Sequence, residues 1–287
     1  MLSIDVRNVS LQFGTRRVLD DCSFSAELGE SIAFLGPNGA GKSSLLEVVQ
    51  GLRRPSSGNV QVLGEDPFNA SFDFPSRMGV VLQNWRDHQS WKPRELIALV
   101  ESAHRNLKDL EPDRVERLIA DLGLEHLLDR KISFLSGGER RRLDVCLALL
   151  PNPEVLILDE PTTGFDPEVR RDFHDLMHSV RGESTLLWAT HDLAEAQRNC
   201  DRVIVLRQGT IAADASTDEL RNAVGSRPVV KWTDGDGAHE QEFDDRGNSL
   251  LVELAQKPGV KNIRVEEPSL EDVYLAILDR PRAEDHK

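Results

Sequence analysis

The chain has 287 residues, 39% of them hydrophobic and 29% charged, the composition of an ordinary globular protein with room for one large domain and a small appendage. A formal net charge of −14 excludes a chain that binds nucleic acid by wholesale phosphate neutralisation. No run approaches the roughly 18 apolar residues of a membrane span, Met1-Leu2-Ser3-Ile4-Asp5 lacks the pattern of a secretion signal, and Cys22, Cys146 and Cys200 have no metal-ligand spacing, so the expectation is a soluble protein of a reducing cytosol, for which any membrane role must come through a partner.

In chain order, Ile4-Asp5-Val6-Arg7-Asn8-Val9 alternates apolar and polar as a half-buried strand does. A turn at Gly14 and the run Cys22-Ser23-Phe24-Ser25 predict an antiparallel pair. Phe13, just before that turn, is either core or a platform for a nucleobase. Ser31-Ile32-Ala33-Phe34-Leu35 then predicts a strand that runs into Gly36-Pro37-Asn38-Gly39-Ala40-Gly41-Lys42-Ser43, followed by a helix-compatible stretch to Gln50. Strand, loop and helix in that order make this a phosphate-binding loop, with Ser44 closing its set of nucleotide contacts. Its glycines let consecutive N–H groups turn inward around phosphate oxygens, and the helix N-terminus adds partial positive charge. Lys42 outweighs that dipole: a charge pair in contact is worth about 4 kcal/mol at an effective dielectric near 20, against about 0.3–1 kcal/mol for a helix terminus. The Ser43 hydroxyl is placed to hold Mg²⁺ between phosphates.

Beyond the turn cluster Pro55-Ser56-Ser57-Gly58, short strands are predicted at Val60-Gln61-Val62-Leu63 and Met78-Gly79-Val80-Val81-Leu82, the second ending at Gln83. Residues 92–128 read as helical. Pro93 suits a first turn, Leu96, Leu99 and Val100 share a face, and Pro112 opens a second helix that Gly123 stops. A third helix, from about 139 to 150, carries Leu143, Cys146, Leu147 and Leu150 as a buried stripe. Arg140, Arg141 and Arg142 at its start are either a solvated face or the sign of an anionic neighbour. These helices, about 84–150, are expected to form a subdomain of their own.

Val155-Leu156-Ile157-Leu158-Asp159-Glu160 is continuously apolar until two carboxylates stand at its C-terminal end, where ligands bind in open parallel sheets. Asp159 is the natural Mg²⁺ partner of Ser43, and Glu160 the group to orient or deprotonate an attacking water. A loop over 162–166 leads to Pro167 at the start of a helix, and the strand Ser184 to Ala189 ends at Thr190-His191-Asp192, which brings His191 towards the phosphates. Arg202 to Leu206 and Gly209 to Ala213 predict a closing hairpin. From about residue 225 to 280 the pattern is that of a small α+β appendage, and 281–287 is a polar tail expected to fray.

With these residues in hand, the chain resembles the nucleotide-binding subunit of an ATP-binding-cassette (ABC) transporter over residues 1 to about 220. The motifs come in the family's order: the phosphate loop, Gln83 as Q-loop, Leu135-Ser136-Gly137-Gly138-Glu139 as signature, the Walker B strand to Glu160, Gly164-Phe165-Asp166 as D-loop, and His191 as switch histidine. The signature usually ends in Gln, so Glu139 places a negative charge near bound phosphates. Phe165 stands where Leu is commoner. The resemblance implies an α/β P-loop NTPase with an N-terminal antiparallel β subdomain, spanning 1–224 ahead of the appendage. It implies that Phe13 stacks on adenine, that Gln83 joins Ser43 and Asp159 around Mg²⁺, and that Gln83, Glu160 and His191 serve hydrolysis. It further implies a head-to-tail homodimer, with ATP held between the Walker motifs of one copy and the signature of the other. Ser136 caps the signature helix, whose N-terminus then meets the γ-phosphate across the interface. The dimer's opening and closing would drive a separate integral-membrane permease from the cytoplasmic face of the membrane, with no nucleic acid involved. Residues 84–95 form the candidate permease-facing surface, where Trp85 and Trp91 are either partner contacts or core. The tail Glu267 to Leu275 is similar to the C-terminal motif of daunorubicin-resistance-type ATPases and points to export of drug-like or hydrophobic compounds. Two other readings are a soluble cassette protein acting on ribosomes or DNA, and an ATP-operated switch with slow turnover, motivated by Glu139.

Overall fold

The computed structural model describes residues 2–82, 88–104, 113–180, 182–216, 219, 229–235, 237–242, 248–266 and 270–279. Gln83, Trp85, Pro112, 267–269 and the tail 281–287 lie outside the described residues. The chain divides into two compact units, Met1–Asp214 and Ala215–Lys287.

In the first unit, β1 (Leu2–Phe13) and β2 (Arg16–Glu27) pair antiparallel with Val6 opposite Phe24, and β4 (Ser57–Val62) pairs along the other side of β1. The strands β3 (Ser31–Leu35), β5 (Met78–Val81), β6 (Val155–Asp159), β7 (Thr185–Thr190), β8 (Arg202–Arg207) and β9 (Thr210–Ser216) make a second sheet in the order β5-β6-β7-β3-β8-β9. Its pairs from β5 to β8 are parallel. β8 returns into β9 through Gln208 and Gly209, both at positive φ (48° and 83°), the backbone a two-residue hairpin turn of matching twist requires. Because β3, β6 and β7 run in the same direction, the chain leaves all three at one edge of the sheet. The stretches 36–41, 160–166 and 190–192 therefore converge there, as ligand-binding loops of open α/β sheets do.

The core explains why α1 (Lys42–Val49) forms at all. Eight residues are too few for independent helical stability. Leu45, Leu46, Val48 and Val49 are each at most 1% exposed, inside an apolar cluster that joins Ile4, Val6 and Phe24 of the antiparallel sheet to Ile32, Phe34, Ile157 and Leu187 of the parallel one. Each such side chain contributes about 1.5–3 kcal/mol relative to exposure. Side chains alternate along β7, so Trp188 serves the other face. It meets Phe173 of α5 (Pro167–Val180) edge-on, ring centroids 5.6 Å apart.

The helical block comprises α2 (Pro93–His104), α3 (Arg114–Asp121) and α4 (Gly137–Leu149). One stripe assignment shifts. On α2, Leu96, Leu99 and Val100 share a face as read, with Leu96 buried and Leu99 47% exposed; on α4, Leu143, Cys146 and Leu150 are buried and Leu147 only half-buried. Leu96, Leu99, Val100 and Leu147 line an apolar groove together with Met78 and Val80. Helical period marks an apolar face without saying what covers it.

Among its described residues the second unit has an antiparallel sheet, β11 (Gly237–Glu242), β10 (Val229–Asp234) and β12 (Lys261–Glu266) in that order, with the helices α7 (Asn248–Gln256) and α8 (Leu270–Asp279). Val230, Leu254 and Ile277 are buried apolar residues there. Among the described residues, no helix is long and apolar enough to cross a membrane.

Candidate active site

The loop between β3 and α1 is folded around its own lysine. Lys42 Nζ donates to the carbonyl of Gly36 at 2.7 Å and to that of Pro37 at 3.3 Å. The side chain is 6% exposed, and burial lowers its pKa, while Glu160 and then Asp159 pull it back up. Two glycines are required by space. A Cβ on Gly36 would lie 2.4 Å from the Leu206 carbonyl oxygen, and one on Gly41, at φ 108°, would lie 2.9 Å from Leu19 Cδ2. Gly41 is also the N-cap of α1, with no capping side chain and no acidic residue in the first turn, so the helix presents its first N–H groups to the loop.

At the end of β6 the Asp159 carboxylate stands by the Ser43 hydroxyl, close enough for that hydroxyl to lower its pKa. Burial raises the Asp159 pKa and Glu160 adds to the rise; Ser43, Lys42 and Arg141 oppose it. Glu160 holds a left-handed backbone, φ 47°, with its N–H donated to the Ala189 carbonyl at 2.9 Å. Such a conformation costs a non-glycine residue about 1–3 kcal/mol, strain of the kind that collects at functional sites. The Glu160 side chain is 12% exposed, its Oε1 is 3.3 Å from His191 Nδ1, and its Oε2 accepts from the Thr163 hydroxyl at 3.4 Å. Glu160, His191, Lys42, Ser43, Ser44, Asn38, Gly39 and Gly41 all line one cleft of about 780 Å³. Phe13 lines it too. At 43% exposure Phe13 is not core, and the Arg53 guanidinium carbon sits 4.7 Å from its ring centroid.

The stretch 135–139 is elsewhere: none of these residues lines that cleft. Ser136 caps α4 through a reciprocal pair, its Oγ accepting from Glu139 N at 3.2 Å and Glu139 Oε2 accepting from Ser136 N at 2.7 Å. The bond from the Ser136 N–H is the main cause of a lowered Glu139 pKa, and Arg130 Nη1 lies 3.4 Å from Glu139 Oε1. The acidic residue that ends this stretch is thus engaged in the cap and faces a cation. Ser136→Ala is expected to cost about 1 kcal/mol, read as a lower urea midpoint at unchanged m-value. Nearby, Asp166 Oδ1 accepts from the N–H groups of Glu168 and Val169 and caps α5, while Phe165, 7% exposed, packs edge-on against Phe173.

Three arginines and one glutamate carry structure that the sequence does not announce. Arg140 Nε bonds Asp144 Oδ1 at 2.8 Å, and Arg142 Nη1 donates to the Leu122 carbonyl at 3.2 Å. Arg141 is buried and donates to the carbonyls of Leu82, Asp159, Glu160 and Pro161. The triplet is therefore neither a solvated face nor only an answer to an acid, because its partners are largely backbone oxygens. Glu195, 4% exposed in α6 (Leu193–Asn199), accepts from the hydroxyls of Thr162 and Thr190 and so ties the stretch after Glu160 to the one before His191. Only a weak sequence signal marked it: Asp192 caps α6 with Glu195 at the third helical position.

Residues 19–163 match the family model described as ABC transporter. Nod factor export ATP-binding protein I of Burkholderia orbicola (strain AU 1054) is 36% identical over an alignment of 297 residues that covers 96% of this chain and 97% of the relative. The protein of the same name from Rhizobium meliloti (strain 1021) is 32% identical over 300, covering 97% and 89%. Among solved structures, an ATP-binding subunit of an ABC transporter superposes with a TM-score of 0.72 at 26% identity, over 77% of this chain and 93% of that one. A dimeric bacterial ABC transporter cassette shares the fold, TM-score 0.67 at 22% identity, over 74% and 98%.

Proposed function

The chain belongs to the ABC transporter family of ATP-binding subunits, which bind ATP and couple its hydrolysis to transport, and from that premise we propose that two copies clasp ATP head-to-tail to power export through a separate permease. One observation carries the proposal. A single cleft gathers Phe13, Lys42, Ser43, Glu160 and His191, while the cap at Ser136 and the first turn of α4 lie outside it. A second copy then supplies the missing wall, with the N-terminus of its α4 directed at the outer phosphate. A cassette of like fold is described as dimeric.

Within the cleft each residue takes one task. Phe13 offers its ring face to the adenine, and the loop N–H groups with Lys42 hold the phosphates. Ser43 and Asp159, neighbours at the head of the loop, form a pair of hard oxygen donors of the kind Mg²⁺ selects, with Gln83 as their expected third. Bound Mg²⁺ would neutralise phosphate charge. Glu160 orients the attacking water and takes its proton, and His191, 3.3 Å from the carboxylate, holds it while reaching the outer phosphate.

The apolar groove lined by Met78, Val80, Leu96, Leu99, Val100 and Leu147 also takes in His88 of the candidate permease-facing stretch and offers a permease a docking face on the inner side of the membrane. His88 lies against Trp91 with ring centroids 4.7 Å apart. The relatives are named for export of Nod factor, and that direction, with the Glu267 to Leu275 sequence motif, supports export here. Cargo is selected by the permease.

Detergent extraction of host membranes tests the reading. The chain is expected to purify with an integral-membrane subunit whose presence raises ATP turnover, and Leu99→Asp in the groove is expected to lose that subunit while ATP binding persists. A chain that ignores membrane proteins and instead binds RNA or DNA with steep salt dependence sinks the transport reading.

A further inference from the structure

Arg141 stands in the second turn of α4 and spends four donor bonds on backbone oxygens. Nε donates to Pro161 O at 2.9 Å, Nη2 to Asp159 O at 2.9 Å and to Glu160 O at 2.6 Å, and Nη1 to Leu82 O. A guanidinium is a rigid planar fork, so bonds on all three of its nitrogens fix the acceptors relative to one another as well as to the helix. Three of those acceptors are the consecutive carbonyls of the turn that aims Glu160. That turn is the strained one: Glu160 keeps its left-handed backbone between Ala189, which takes its N–H, and Arg141, which takes its carbonyl. The fourth acceptor, Leu82, is the residue before Gln83. Asp144, Asp159 and Glu160 supply the negative field that keeps a buried cation tolerable.

We propose that Arg141 is a positioning residue that makes the placement of Glu160 depend on the placement of the signature helix in the same protomer. The inference rests on the head-to-tail reading above. In that dimer, Ser136 and the start of α4 serve the nucleotide bound by the other copy. Arg141 therefore carries the state of one nucleotide site to the catalytic carboxylate of the second, a coupling that runs equally in both directions for binding. A simple bolt between helix and strand would need only one or two of these bonds.

The test compares the full-length parent with Arg141→Lys and Arg141→Gln, measuring equilibrium binding of a fluorescent ATP analogue and steady-state ATP hydrolysis across ATP concentration. Arg141 lines no part of the nucleotide cleft, so analogue affinity is expected to hold. The kcat is expected to fall about 100-fold, the scale of an ångström-level misplacement of a catalytic group. The Hill coefficient is expected to drop from about 2 in the parent towards 1. Arg141→Lys keeps the buried charge without the fork and carries the same expectation should Arg141→Gln fail to fold. If both variants only lose folded fraction, with kcat scaled to it and the Hill coefficient unchanged, the positioning role is overturned while the dimer reading stands. A parent with hyperbolic kinetics, together with a Glu160→Gln variant that stays monomeric in ATP, removes the dimer reading and this proposal with it.

Discussion

Glu160→Gln is expected to stop ATP turnover while ATP stays bound and two copies stay associated. The amide keeps the size of the carboxylate, and its oxygen can still accept from the Thr163 hydroxyl, so the left-handed turn has no new strain to absorb. What it loses is the ability to take a proton from water. General-base catalysis is worth about 10²–10⁴-fold, and kcat should fall by that factor. Binding moves the other way. A carboxylate beside a triphosphate repels it, so its neutralisation leaves affinity equal or higher. The dimer then has nucleotide to hold it and no hydrolysis to release it. Phosphate-release assays give the first quantity, and gel filtration with and without ATP the second. Hydrolysis at the parent's rate would assign the base elsewhere, and with it the meaning given to the strain at Glu160.

The parts of this site that were legible in the sequence are those whose chemistry constrains neighbouring residues. Gly36 to Ser43 had to follow a strand and open a helix, and Asp159-Glu160 had to end an apolar run; both patterns are local and both elements form as read. Phe13 was ambiguous because an aromatic before a glycine serves a core as well as a ligand, and only its 43% exposure inside the cleft separates the two. Leu147 was misplaced for a different reason. It lies on a correct apolar face, but that face lines a groove, and what fills a groove is set by another segment. Arg141 was unreadable in principle. Its acceptors are carbonyls, which every residue possesses, so no side-chain pattern could reveal four of them converging from stretches far apart in the chain. The strand order β5-β6-β7-β3-β8-β9 is non-local in the same sense.

Lys42→Ala should nearly abolish nucleotide binding and change stability little. The two effects separate because the lysine is already committed before ATP arrives. Its ammonium is buried against the Gly36 and Pro37 carbonyls, so the folded chain bears a desolvation cost that those two hydrogen bonds and the nearby carboxylates offset. Removing it deletes the bonds and the cost together, and the unfolding midpoint should scarcely move. Binding has no such compensation. The contact charge pair is worth about 4 kcal/mol, which at about 1.4 kcal/mol per tenfold is close to a thousandfold in Kd. The helix terminus that remains supplies only about 0.3–1 kcal/mol of dipole. Isothermal titration with ATP measures the loss, and a parallel urea melt shows that the chain is still folded. The direction of the Lys42 pKa adds a second readout on the parent. Burial lowers it, so the cation that binds phosphate is lost at a lower pH than for an exposed lysine, and ATP affinity should weaken early as the solution turns alkaline. Micromolar affinity retained by Lys42→Ala would mean that the loop's own N–H groups hold the triphosphate, and the ranking of charge over dipole would have to be reversed.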